Sequence, residues 1–147
     1  MQSTDEKLAE LVTLCREAGL KATHQRLEIF RELVQTDEHP DAETLYARVR
    51  ERIPSLSLDT MYRTLRMLEE KGIISRVGCI KERARFDSNR KPHHHFVCSA
   101  CGLIADFYSD ALDHFPIPPQ VSRMGGVDTV HVELRGKCTA CREAGRN

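Results

Sequence analysis

Two C-x-x-C pairs, Cys98/Cys101 and Cys138/Cys141, constrain this chain more than any other feature. Each pair brings two thiolates to one edge of a tetrahedral ion, and two pairs complete a four-cysteine site. A redox dithiol is the alternative for a single pair, but a matched second pair argues for a closed cage. Such a cage suits zinc, which is redox-silent and stabilises the fold around it. The gap from Gly102 to Lys137 is longer than a zinc ribbon's, so a small domain has to fold between the two halves.

Immediately before the first pair runs His93-His94-His95, leading into the apolar Phe96 and Val97. Along a strand alternate side chains share a face, so His93 and His95 point one way and His94 the other. Two imidazoles beside a carboxylate, Asp106, form the start of a second site made of nitrogen and oxygen. Those ligands suit iron(II), manganese(II) or zinc rather than a thiophilic ion.

The 147 residues allow one domain or two small ones, and 30% charged with 40% apolar residues is ordinary for a soluble globular protein. No run approaches the roughly 20 apolar residues that span a bilayer. The polar N-terminus MQSTDEKLAE lacks a signal-peptide core. Paired cysteines in such a chain read as metal ligands in a reducing cytoplasm. The net charge of zero hides an asymmetry, because Leu56 to Lys91 holds nine Lys/Arg against five acids. A locally basic segment of that kind can track a phosphate backbone.

The first half reads as helices. Asp5 to Ala18 carries Leu8, Leu11, Val12, Leu14 and Cys15 at helical spacing and stops at Gly19. Thr23 caps a second helix with Leu27, Ile29, Phe30, Leu33 and Val34, and Asp41 caps a third with Leu45, Val49 and Ile53. Ser57 caps a fourth, Leu58 to Lys71, which buries Met61, Leu65 and Leu68 and ends at Gly72. Ile73 to Phe86 then alternates apolar and basic residues around Gly78, as a two-stranded hairpin does. Short helices followed by a hairpin outline a winged helix-turn-helix. Its fourth helix presents Asp59, Thr60, Tyr62, Arg63 and Arg66 outward, groups suited to a major groove. Cys79 lies in the wing.

Asp87 to Pro92 is polar and turn-rich and reads as a linker. Beyond it, Phe96–Val97 and Leu103–Phe107 are strand candidates, and Ala111–Phe115 is a short helix interrupted by Pro116, Pro118 and Pro119. Thr129–Leu134 alternates as a strand into Cys138. The expected organisation is α+β: a winged-helix DNA-binding domain over 1–86, a hinge over 87–92 and a small α/β metal-binding dimerisation domain over 93–147.

This arrangement resembles the ferric uptake regulator superfamily of bacterial metal-dependent repressors, from about Leu20 to Cys141. The likeness rests on T-x-Q-R (Thr23 to Arg26), H-P-x-A-x-x-L-Y (His39 to Tyr46) and S-L-x-T-x-Y-R-T-L (Ser57 to Leu65). It continues through R-F-D (Arg85 to Asp87), H-H-H-F-x-C-x-x-C-G (His93 to Gly102) and V-E-L-R-G-x-C-x-x-C (Val132 to Cys141). The resemblance implies a cytoplasmic homodimer that binds double-stranded palindromic operator DNA, with Thr60, Tyr62, Arg63 and Arg66 at the interface. It implies structural zinc on Cys98, Cys101, Cys138 and Cys141. It also implies regulatory iron(II) or manganese(II) on His39, Asp87, His93, His95 and Asp106. Ligands drawn from both domains and the hinge would couple metal binding to the orientation of the DNA-reading helices.

Within the superfamily, iron sensors generally have glutamate where this chain has Asp106, and the peroxide-sensing branch has aspartate. The resemblance therefore implies a repressor released when hydrogen peroxide oxidises a ligand histidine, His39 or His93. The alternative is an iron- or zinc-responsive repressor of metal uptake without peroxide sensing, to which Arg63 in the fourth helix points. A further family site uses a histidine eight residues before the third zinc cysteine. Here that residue is Val130, His131 lies one residue on, and Pro92 stands where the site takes another residue, leaving His94, Asp113 and His131 as an extra-site candidate. A metalloenzyme is the rival class, but no nucleophile or separate acid/base pair is evident, and a metal-storage protein would not need Tyr62, Arg63 or the basic wing.

Overall fold

The computed structural model describes residues 3–80 and 83–146, apart from the side chains of Cys79 and Ile80, so the Cys79 thiol lies outside the described residues. The chain forms two compact units, Met1–Arg90 and Lys91–Asn147.

The first unit begins with α1 (Thr4–Glu17), one residue earlier than expected, because Ser3 and Glu6 form a reciprocal capping box. The helices α2 (His24–Val34), α3 (Ala42–Arg50) and α4 (Leu58–Glu70) start after Thr23, Asp41 and Ser57. Each of those side chains accepts an otherwise unpaired first-turn backbone N–H, from Arg26, Thr44 and Thr60 respectively. Leu11, Ile29, Leu33, Leu45, Val49, Met61, Leu65 and Leu68 are each at most 2% exposed and form the core. Arg52 spans Glu28 and Glu32, both at 2.9 Å, and clamps the end of α3 to α2.

The wing is β1 (Ser75–Ile80) paired antiparallel with β2 (Arg83–Asp87). Gly78 is not its turn, as the alternation suggested. It sits inside β1 with φ 30°, where the register shifts between Val77 and Cys79. A bulge of this type suits glycine and adds twist. Asp41 bridges Arg85 antiparallel, and the Phe86 N–H reaches Pro40 O at 3.1 Å. A single bridge therefore ties the loop before α3 to β2 of the wing.

The second unit holds a three-stranded sheet in the order β4-β3-β5, from β3 (His94–Cys98), β4 (Ile104–Phe107) and β5 (Glu133–Gly136). β3 pairs antiparallel with β4 and parallel with β5. The last strand starts later than the TVHVEL alternation predicted, at Glu133. Short helices α5 (Asp110–Asp113) and α6 (Pro119–Ser122) lie between, and α7 (Thr139–Glu143) follows. Pro118 and Pro119, expected only to interrupt, instead open α6, where a missing N–H costs nothing. No helix among the described residues is long and apolar enough to cross a membrane.

Candidate metal centre

The four cysteine sulfurs gather at the end of the second unit, all within 4.8 Å of one another. A tight turn after β3 makes the first knuckle, with Gly102 at φ 79° and its N–H on Cys98 O at 2.9 Å. The second knuckle is the start of α7, which Cys138 precedes. Ser99 N–H to Gly136 O, at 2.8 Å, holds the two together. Cys101 Sγ and Cys138 Sγ are 3.8 Å apart, and the described cysteines are free thiols. Zinc–sulfur bonds of about 2.3 Å in a tetrahedron give edges of roughly 3.8 Å, the Cys101–Cys138 separation, and the four-cysteine cluster fits structural zinc.

The cage is also electrostatically prepared. The Cys98 thiol is brought down to about 6, first by the Cys138 N–H, 3.3 Å from its sulfur, and then by that of Cys101. Burial pushes Cys141 up to about 12, with the neighbouring cysteines adding to it.

The nitrogen and oxygen cluster of the same unit follows from the β3–β4 register. His95 is the direct partner of Asp106, and His95 Nε2 lies 3.2 Å from Asp106 Oδ1. His93, two residues earlier and on the same face, puts its Nε2 3.0 Å from His95 Nε2 and 3.8 Å from the same carboxylate oxygen. Both rings are buried. His93 Nδ1 faces Lys91 O at 2.6 Å, and a carbonyl only accepts, so Nδ1 carries the proton and Nε2 a lone pair. Two imidazole nitrogens and a carboxylate oxygen converge here closely enough to hold a cation among them. The donor set fits iron(II), manganese(II) or zinc.

The first unit carries its own pair. Extending the Asp41–Arg85 bridge by two residues on each strand brings His39 opposite Asp87. His39 Nε2 is 3.7 Å from Asp87 Oδ2, both side chains are buried, and Asp87 Oδ1 accepts the Asn89 N–H at 2.7 Å. His39 is the one non-glycine residue with positive φ, 51°, among the described residues. Arg85 holds that turn, giving Nε to His39 O and Nη2 to Glu38 O at 2.6 Å. In the sequence Arg85 stands out only through the R-F-D motif and the basic charge of its segment, and neither signals this anchoring role.

His94, Asp113 and His131 do not make a single cluster. His94 Nε2 approaches Asp113 Oδ1 at 3.2 Å. His131 instead directs Nε2 to His95 Nδ1 at 3.0 Å and Nδ1 to His93 O at 3.1 Å. Burial holds the His131 imidazole below its usual range, reinforced by His95.

On α4, Thr60, Tyr62, Arg63 and Arg66 lie away from the Met61–Leu65–Leu68 stripe. Arg63 is 76% exposed and pairs with Asp59 at 3.3 Å, and the Tyr62 hydroxyl donates to Glu43 at 2.6 Å. Tyr62, Arg66, Arg76 and Arg83 line a cavity of about 250 Å³ between helix and wing. Arg76 and Arg83 are held by Glu69 and Asp41.

A winged helix-turn-helix with an attached four-thiolate cage and a cluster of imidazole and carboxylate groups is the build of a metal-responsive transcriptional regulator. The chain belongs to the ferric uptake regulator family: the family model so described matches residues 17–136. The peroxide-responsive repressor PerR of Staphylococcus epidermidis is 32% identical over 147 residues, 99% of this chain and 97% of that protein. The Helicobacter pylori ferric uptake regulator Fur has the same fold, with a TM-score of 0.79 at 22% identity over 96% of this chain and 95% of its own. A zinc uptake regulator solved with zinc and DNA aligns with a TM-score of 0.68 and 25% identity over 99% of both chains.

Proposed function

We propose that this protein is a homodimeric repressor that binds palindromic operator DNA while its regulatory site holds iron(II) or manganese(II), and that hydrogen peroxide releases it through the iron form. The observation that carries this reading is the convergence of His93, His95 and Asp106 on one point, at 3.0 and 3.2 Å, in a chain 32% identical to a peroxide-responsive repressor. Aspartate rather than glutamate at 106 supports the same branch.

In this reading His39 and Asp87 complete the site with His93, His95 and Asp106, and Cys98, Cys101, Cys138 and Cys141 hold structural zinc. The winged-helix domain is 1–86, the hinge 87–92 and the dimerisation domain 93–147. Metal affinity then depends on domain orientation, and by linkage metal and operator strengthen each other's binding. Thr60, Tyr62, Arg63 and Arg66 meet the major groove and its flanking phosphates. Exposed Phe115, Ile117, Val121, Met124 and Leu134 in the second unit give a second copy apolar surface to cover.

Iron(II) held by His39, Asp87, His93, His95 and Asp106 would supply one-electron reactivity toward peroxide beside the two candidate histidine rings. The net change is one oxygen inserted at a ring carbon of His39 or His93, with water as the other product. An oxidised ring is a poorer ligand, so the metal leaves and DNA affinity falls. Manganese(II), less ready to react, keeps the repressor on DNA.

The test compares iron(II)- and manganese(II)-loaded protein on a palindromic duplex before and after a brief low dose of peroxide, followed by peptide mass spectrometry. Loss of binding only in the iron form, with one oxygen added to His39 or His93, is the expected result. Retained binding with unmodified histidines would sink peroxide sensing and leave a repressor that reports metal level.

A further inference from the structure

The geometry around β5 points to a role for His131 that no ligand set gives it. We propose that His131 is a positioning residue for the regulatory metal, fixing which nitrogen of His95 faces the ion. This rests on the reading of His93, His95 and Asp106 as ligands.

The placement comes from strand register. β3 and β5 run parallel with His95 beside Glu133, and the His95 N–H reaches Val132 O at 3.1 Å, which extends the ladder beyond β5. Two residues back along both strands, His131 comes beside His93 and on the same face. The one-residue offset from Val130 is therefore what carries an imidazole to the metal side of the sheet.

The hydrogen bonds then determine one another. His131 Nδ1 lies 3.1 Å from His93 O, which only accepts, so Nδ1 is the donor. The neutral ring's other nitrogen, Nε2, is left as an acceptor, and it lies 3.0 Å from His95 Nδ1. His95 must place its proton on Nδ1, leaving a lone pair on Nε2. That is the nitrogen 3.0 Å from His93 Nε2 and 3.2 Å from Asp106 Oδ1. Metal-binding histidines commonly give their second N–H to such a partner, which fixes ring angle and raises ligand basicity. Here one side chain ties the His93 backbone to the His95 ring, so the two ligands are oriented as a pair.

The experiment uses the full chain with zinc retained in its thiolate site and titrates manganese(II) into wild type, His131→Leu, His131→Gln and His95→Ala. Free manganese is read by its paramagnetic resonance signal, and cobalt(II) spectra are recorded alongside. His131→Leu should weaken manganese binding by about 10- to 100-fold, the usual cost of losing such a partner. His131→Gln should recover most of the affinity, since its amide can accept from His95 Nδ1 and donate to His93 O, with the cobalt d–d bands unchanged. Wild-type affinity in His131→Leu overturns the proposal. So does an equal loss in both His131 variants, which would mean packing, or altered cobalt bands in His131→Gln, which would make His131 a ligand. Full affinity in His95→Ala is a separate failure, because it removes the regulatory site itself.

Discussion

His94 Nε2 stands 3.2 Å from Asp113 Oδ1 while its Nδ1 accepts the Val132 N–H, also at 3.2 Å. The ring is fully buried, and accepting at Nδ1 puts its proton on the nitrogen that faces Asp113. The ring thus ties the approach to β5 onto the middle strand and sits within ion-pair reach of α5. His94 Nε2 makes no hydrogen bond, and Asp113 lies only within ion-pair reach of it, so Asp113→Ala should cost the second unit no more than about 1 kcal/mol, and Asp113→Asn less. Thermal unfolding measures this, with metal content measured on the same samples. Metal lost on either substitution would mean that His94 and Asp113 hold an ion instead.

Removing zinc should cost more. The cage joins the turn after β3 to the start of α7, and structural zinc in small modules binds with apparent free energies on the order of 10 kcal/mol. Chelation, or Cys98→Ser, should abolish the second unit's sheet while the helical signal of Thr4–Glu70 persists. Zinc uptake must displace the Cys141 proton, which the free thiol keeps up to about 12, whereas Cys98 is already ionised above about 6. Zinc affinity should therefore rise with pH above 6 and each binding event release protons, as calorimetry in buffers of different ionisation enthalpy can count.

Much of this architecture was legible because local chemistry specified it. Thr23, Asp41 and Ser57 announce helix starts since their oxygens can satisfy orphan N–H groups, and each does so. Period-two alternation suffices to put His93 and His95 on one face. What could not be read depends on partners distant in the chain. The parallel pairing of β3 with β5 joins residues 38 apart, as His95 and Glu133 show, and it alone brings His131 to His95. The expected strand over Thr129–Leu134 was set too early for the same reason, since alternation shows two faces but not where a neighbouring strand begins. Gly78 misled because a glycine in a hairpin sequence suits a bulge as well as a turn.

His39 should report its backbone strain. At φ 51° an ordinary residue is disfavoured by roughly 1–2 kcal/mol, and glycine is not. His39→Gly and His39→Ala both remove the same imidazole, so their difference isolates the backbone. The glycine variant should be the more stable by about 1 kcal/mol in metal-free protein, as denaturant unfolding measures. Equal stabilities would show that the turn relaxes once the imidazole is gone, even with Arg85 still on the backbone carbonyl.

Asp41 links the cap of α3 to the wing through Thr44 and Arg83. Burial works to raise its carboxyl, but the hydrogen bonds from Thr44 and the Arg83 guanidinium outweigh it and hold the group below its ordinary 3.8. A carboxyl lowered on folding stabilises above its unfolded value, and that contribution is lost as pH falls below about 4. Asp41→Ala should cost about 1 kcal/mol at neutral pH and Asp41→Asn much less. The gap between wild type and Asp41→Asn should shrink in acid, where a gap independent of pH would show that the charge contributes nothing.

Arg63 separates the DNA-reading interpretation of α4 from a merely solvated helix face. Its side chain is 76% exposed and its contact with Asp59 is an exposed i,i+4 pair at 3.3 Å, which contributes only about 0.3–0.5 kcal/mol. Arg63→Ala should therefore leave unfolding within about 0.5 kcal/mol of wild type. On the metal-loaded repressor it should weaken operator binding by about 1–3 kcal/mol and relax preference at one base position, as a lost guanine contact does. Asp59→Ala frees the guanidinium and should bind at least as tightly as wild type. Equal losses on operator and scrambled duplex would make Arg63 a phosphate contact, with a shallower salt dependence to match. No loss on either would mean that α4 does not read the groove.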